Sequence, residues 1–316
     1  MDNFKNSILN FNKQLTPSAL QYFRMDKIKG SHPDAIIVIG MGGSGQAGFL
    51  ASDLKYEVKI PVPVLVWENY GLPKTSYKKP LFIFVSFSGN TNETLSGFSK
   101  ARLKAAVCSG GQLKKLSDKA GVPLSLLPAG NLTPRQANGL MFYGIMQIVK
   151  TVFPGSKNQS LAYLKPKSFE TAGKIISRQL KNKTVLIYSS PENNHLSYIW
   201  KTNLNETAKS MCFSGTFPEM THNEIVPLEK RPKNVIAVFL ENNSTPQGKR
   251  KMGITTAIMK KNGVSSIRIN LSGKNNLEKT WNSIILSQWV AYHLAEAKKI
   301  NPVETKLIDQ IKKLTA

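Results

Sequence analysis

The chain has 316 residues and a mass of 35.0 kDa. With 41% hydrophobic, 9% aromatic and 20% charged residues it has apolar material for one or two packed domains and too much for a disordered chain. The charge of +24 is the outlier, but the lysines are scattered, with no basic tail, zinc finger or glycine-aromatic strand, so specific nucleic-acid binding is not expected. Steering of an anionic substrate or a source-wide lysine bias accounts for the charge.

Three further features narrow the class. No apolar run approaches the ~18 residues of a membrane span. The opening MDNFKNSILNFNKQ lacks the apolar block of a secretory signal. Cys108 and Cys212 make neither a disulfide framework nor a zinc site. The expectation is a soluble, cytoplasmic protein without a metal.

Short apolar runs alternate with longer amphipathic stretches, the pattern of an α/β fold with parallel sheets. Ala35–Gly40 (AIIVIG) reads as a strand buried on both faces, being apolar without alternation. A helix is predicted over Gly45–Leu54, then strands over Val64–Trp67 and Leu81–Ser86 (LFIFVS). A helix over Asn92–Arg102 and weaker strands over Leu103–Val107 and Pro123–Leu127 follow. A long helix is predicted from Pro134, where a missing N–H costs nothing in a first turn, to Phe153. The Pro-, Gly-, Ser- and Lys-rich segment Pro154–Lys167 is the linker candidate, and a cut within it gives domains 1–155 and 156–316. The theme then repeats: strand Thr184–Ser189, helix Asn194–Lys209, strand Val235–Leu240, helix Thr245–Asn262, strand Val264–Leu271 and helix Asn275–Lys299. An amphipathic helix over Pro302–Leu314 closes the chain.

Two loops carry the chemistry. The first, Gly40-Met41-Gly42-Gly43-Ser44-Gly45, joins a buried strand to a helix, where glycine lets backbone N–H groups and the helix's positive end approach an anion. Gly40, Gly42 and Gly45 match GxGxxG, as do Gly43, Gly45 and Gly48, and Glu68 stands where a ribose-binding acid is expected. By itself this loop leaves a dinucleotide and a phosphate monoester both open. The second loop, Ser86-Phe87-Ser88-Gly89-Asn90-Thr91, decides for the monoester. It sets three hydroxyls, on Ser86, Ser88 and Thr91, between another buried strand and a helix start. Such hydroxyls suit the three oxygens of a terminal phosphate, whereas helix capping by Thr91 explains only one of them.

GMGGSGQAG followed by SFSGNTNET resembles the sugar isomerase (SIS) fold, whose members bind phosphorylated sugars in these two loops. The later GVPLSLLPAGNLTPRQA, NETAK, PEMTHNE and terminal IDQIKKL, in that order, resemble the bifunctional phosphoglucose/phosphomannose isomerases. The resemblance implies two flavodoxin-like αβα SIS domains. It also implies cofactor-free interconversion of glucose 6-phosphate or mannose 6-phosphate with fructose 6-phosphate through an enediolate. Phosphate is then expected on Gly42, Gly43, Ser44, Ser86, Ser88 and Thr91. Glu206 matches the base that moves the proton between C1 and C2; read blandly, it is an exposed helical acid paired with Lys209 or Lys201. Arg135 matches the enediolate-stabilising cation and His222 the ring-opening acid, an imidazole being a group that titrates near neutrality. In this family the histidine comes from the neighbouring subunit, which implies a homodimer. Lys312 matches the terminal-helix lysine that assists ring opening, with Lys306 and Lys313 as rivals. Thr305 is read as the residue that makes room for mannose phosphate. A non-catalytic sugar-phosphate sensor or a different SIS sugar-phosphate enzyme are the competing readings.

Overall fold

The computed structural model describes residues 2–128, 130–242 and 245–315. Its contacts divide the chain into two compact units, 9–164 with 311–316, and 1–8 with 165–310. The sequence places one cut after residue 155, whereas the contacts keep 156–164 with the first unit and interleave the termini. Lys157 N–H donates to the Val58 carbonyl at 2.8 Å and Leu161 N–H to that of Leu15 at 2.7 Å, which ties this segment to the first unit's body.

The first unit is built on six strands: β1 (Gln21–Phe23), β2 (Ala35–Ile39), β3 (Val64–Trp67), β4 (Pro80–Ser86), β5 (Lys104–Cys108) and β6 (Leu124–Leu126). They lie in the order β1-β6-β5-β4-β2-β3, parallel except for β1. Every residue of β2 is buried, as is β4 from Leu81 onward, because helices cover both faces and leave no solvent side for alternation. Leaving the short β1 aside, strand succession reverses between β2 and β4, which hydrogen-bond side by side. Such a switch point opens a crevice at the carboxyl ends of the strands.

The second unit holds β7 (Thr184–Ser189), β8 (Cys212–Thr216), β9 (Val235–Glu241) and β10 (Ser265–Asn270), all parallel, in the order β10-β9-β7-β8. Its centre is the helix Asn276–Ala297, with Trp281 and Trp289 fully buried. A helix apolar round most of its circumference belongs inside a domain. Cys108 in the first unit and Cys212 in the second are both buried. Desolvation pushes their thiols up to about 11 and about 12, respectively. None of the described helices is long and apolar enough to cross a membrane.

The parallel α/β expectation holds, with local corrections. The helix predicted over Asn92–Arg102 covers only Asn92–Ser96 and gives way at Gly97, where a Cβ would lie 2.8 Å from the Gly71 carbonyl oxygen. The helix predicted from Pro134 is broken into a single 3₁₀ turn, Pro134–Gln136, and the helix Asn138–Val152. Helices at Asp2–Leu9, Gly111–Lys119 and Glu170–Leu180, and the strands β1 and β8, are additional to the sequence reading.

Candidate active site

The first unit brings the two loops together, because β2 and β4 are neighbours and both loops leave their carboxyl ends. Ser44 Oγ accepts from the Phe87 N–H at 3.1 Å, joining one loop to the other. Ser86, fully buried, accepts from the Gly89 N–H at 3.0 Å and shares a 2.9 Å hydrogen bond with Thr91 Oγ1. Ser88 is exposed, and its Oγ accepts from Asn90 N–H at 3.3 Å. Thr91 precedes the helix Asn92–Ser96 but forms no side-chain cap, so its hydroxyl serves the loop rather than the helix end. Hydroxyls that accept backbone N–H bonds keep their own protons to donate. One proton of the Ser86–Thr91 pair is spent between the two, and the exposed Ser88 keeps its own to donate.

Arg135 stands on the same side. Its 3₁₀ turn is fastened by Thr133 and Gln136: the Thr133 N–H and hydroxyl both donate to Gln136 Oε1, at 3.0 and 2.9 Å. Gln14 Nε2 donates to the Gln136 carbonyl at 2.9 Å. Arg135 itself is only 2% exposed. Gly43 is what lets the turn come so close: a Cβ built there would lie 2.8 Å from Pro134 C and 2.9 Å from Arg135 N. Glu68, weighed as a ribose-binding acid, packs its carboxylate against Gly45, where a Cβ would meet Glu68 Oε1 at 2.6 Å. Sequence reading missed the brace behind the serine loop. Gly89, at φ 72°, abuts the Gly110 carbonyl too closely for any side chain, and Asn90 Oδ1 accepts from the Gln112 N–H at 2.9 Å. Lys312 falls within this unit and is exposed on the last helix, Lys306–Leu314.

The second unit carries the remaining residues. Glu206, half-buried near the end of the helix Leu196–Ala208, and Thr305 line one cavity of about 500 Å³ with Asn205, Lys209, Asn301 and Glu304. His222 does not line this cavity. It is exposed on the turn Glu219–His222, with Nε2 3.5 Å from Lys251 Nζ.

Comparison with known proteins decides the family. The chain is 32% identical to the bifunctional phosphoglucose/phosphomannose isomerase of Thermoplasma acidophilum, over 88% of each chain. It is 30% identical to the protein of that name from Aquifex aeolicus, over 88% of this chain and 89% of the relative. The chain belongs to the bifunctional phosphoglucose/phosphomannose isomerase family. As a member of that family it also matches, over residues 169–314, the model of the bacterial phospho-glucose isomerase C-terminal SIS domain. Its fold is similar to that of the C-terminal domain of glucosamine-fructose-6-phosphate aminotransferase from Francisella tularensis. That match has a TM-score of 0.70 at 15% identity, covering 95% of this chain and 98% of that one, and is a likeness of fold alone. The SIS expectation for this isomerase-family chain therefore stands.

Proposed function

We propose that the chain is an isomerase that interconverts glucose 6-phosphate and mannose 6-phosphate with fructose 6-phosphate, without a cofactor. The observation that carries this reading is the kinship with bifunctional isomerases over about nine-tenths of the chain. The sensor and other-enzyme readings are not favoured by it.

In this reading the phosphate rests on the N–H groups of Gly42 and Gly43 and on the hydroxyls of Ser44, Ser86, Ser88 and Thr91. Their support is the hydrogen-bonded union of the two loops. His222 and Lys312 open the sugar ring, and the exposure of His222 suits donation to a second copy in a homodimer. Glu206 then takes the proton from one of C1 and C2 and returns it to the other on the same face. The enediolate oxygen acquires negative charge in that step, and Arg135 is the cation assigned to it. A fixed guanidinium suits this role, since it needs no reorganisation as the charge develops. The net charge of +24 favours capture of a dianionic substrate. The same reading assigns the protein to the cytoplasm and keeps the two-domain division 1–155 and 156–316 as a proposal.

The test is a coupled assay with each hexose 6-phosphate, with and without a chelator. Conversion of both to fructose 6-phosphate, unchanged by the chelator, is expected. Turnover of neither overturns the proposal, and chelator sensitivity redirects it to metal-dependent chemistry. Thr305→Gln is expected to lower mannose 6-phosphate conversion several-fold more than glucose 6-phosphate conversion, because the longer amide fills the space into which the intermediate rotates about C2–C3. Equal losses with the two sugars would remove Thr305 from the specificity argument.

A further inference from the structure

The helix Leu196–Ala208 ends on Lys209, a non-glycine residue in the left-handed region, at φ 48° and ψ 40°. Glycine is the usual occupant of such a terminus, since a Cβ is strained there, and another residue persists only when its surroundings hold it. The Lys209 N–H donates to the Leu204 carbonyl, and its side chain adds a second hold. Nζ donates to two main-chain carbonyls, those of Glu206 and Asn301, both at 2.8 Å. One ammonium group thus ties the backbone of Glu206 to the backbone of a distant segment.

That segment is itself organised. Val303 N–H donates to Asn301 Oδ1 at 2.9 Å, and Asn301 Nδ2 donates to Glu304 Oε1 at 3.1 Å. The Thr305 carbonyl then accepts the Asp309 N–H at 3.0 Å, opening the last helix. A second lysine braces the same junction: Lys298 Nζ donates to the Ala208 carbonyl at 3.2 Å and to Ser210 Oγ at 2.6 Å. Two cations therefore sit on main-chain carbonyls at the negative end of the helix that carries Glu206. Glu206, Lys209, Asn301 and Thr305 all line the 500 Å³ cavity.

We propose that Lys209 is a positioning residue for the isomerisation: its ammonium fixes the main chain of Glu206 against that of Asn301, and so sets the base relative to the Thr305 side of the cavity. This rests on the reading of Glu206 as the base. Displacement of a catalytic group by about 1 Å is enough to cost roughly a hundredfold in rate, so a tether between the two walls of the cavity is a kinetic device as well as a packing contact.

Lys209→Gly separates the two roles, since glycine is the better residue for the backbone but has no ammonium. The expected result is an unchanged or raised Tm, KM for fructose 6-phosphate within about threefold, and kcat lowered by about 30-fold or more. Faster amide hydrogen exchange over residues 300–308 is expected to accompany it. Lys209→Arg, whose guanidinium can donate to both carbonyls, is expected to recover part of kcat. Full kcat in the glycine variant, a kcat loss that appears only together with a lower Tm, or unchanged exchange over 300–308 would each overturn the proposal. If the parent enzyme turns over no hexose phosphate, the functional reading falls, and the exchange comparison between parent and glycine variant still decides whether the tether exists.

Discussion

Glu206→Gln is expected to lower kcat at least about a thousandfold while leaving the KM for fructose 6-phosphate within a few-fold. The amide keeps the size and shape of the carboxylate and part of its hydrogen bonding, but it cannot accept and return a proton. An interaction lost from the transition state alone appears in kcat and kcat/KM together, with little change in ground-state binding. Steady-state kinetics in both directions, with solvent deuterium incorporation at C1 and C2, makes the check specific. Incorporation at the parent's rate would remove Glu206 from the proton transfer. Glu206 lies near the end of a buried helix and is itself only half-buried, so Tm should move little.

The second large effect is expected at a residue with no chemistry of its own. Gly43→Ala places a methyl carbon 2.8 Å from Pro134 C, 2.9 Å from Arg135 N and 3.0 Å from Pro134 Cβ. Two of these three atoms are backbone, so relief requires the glycine loop and the Arg135 turn to move apart. The Arg135 turn is not free to yield, being fastened through Gln136 to both Thr133 and Gln14. One added carbon should therefore disturb the phosphate loop and the guanidinium together, lowering kcat/KM by about 10- to 100-fold. Overpacking is expected to reduce stability by about 1–3 kcal/mol. Gly155→Ala is the matched control, since a Cβ there meets nothing within 4 Å and the backbone is not left-handed. Kinetics and thermal melts of the pair read both effects. Equal kcat/KM in the two variants would mean that the close approach of Gly43 to Arg135 is immaterial to function.

The parts legible in the sequence are those whose cause is local. The runs AIIVIG and LFIFVS announce strands covered on both faces, and β2 and β4 occupy the positions expected for them. The two loops are equally local, since each packs its glycines and hydroxyls into a few residues after a strand. What was illegible depends on partners far along the chain. The strand β8 is a sheet edge with only Cys212 buried, and CFSGT carries no strong apolar pattern. The helix Gly111–Lys119 buries only Leu113 and Ser117 and looks like a solvated basic stretch. At the site, Lys209 reads from sequence as a surface partner for the Glu206 carboxylate. Its reach to the Glu206 and Asn301 carbonyls depends on how the ends of two helices meet. The depth of Arg135 was likewise illegible, because nothing in PRQA reveals the Gln14 side chain that fastens its turn.

The distribution of the two cysteines has a practical outcome. Each unit contains one, sealed from solvent and held as an unreactive thiol. An alkylating reagent can reach either sulfur only after the surrounding half has opened, so the order in which Cys108 and Cys212 are modified records which half loosens first. The chain thus contains one chemical timer per half, and peptide mapping of a partly alkylated sample reads both without adding a label or altering a residue.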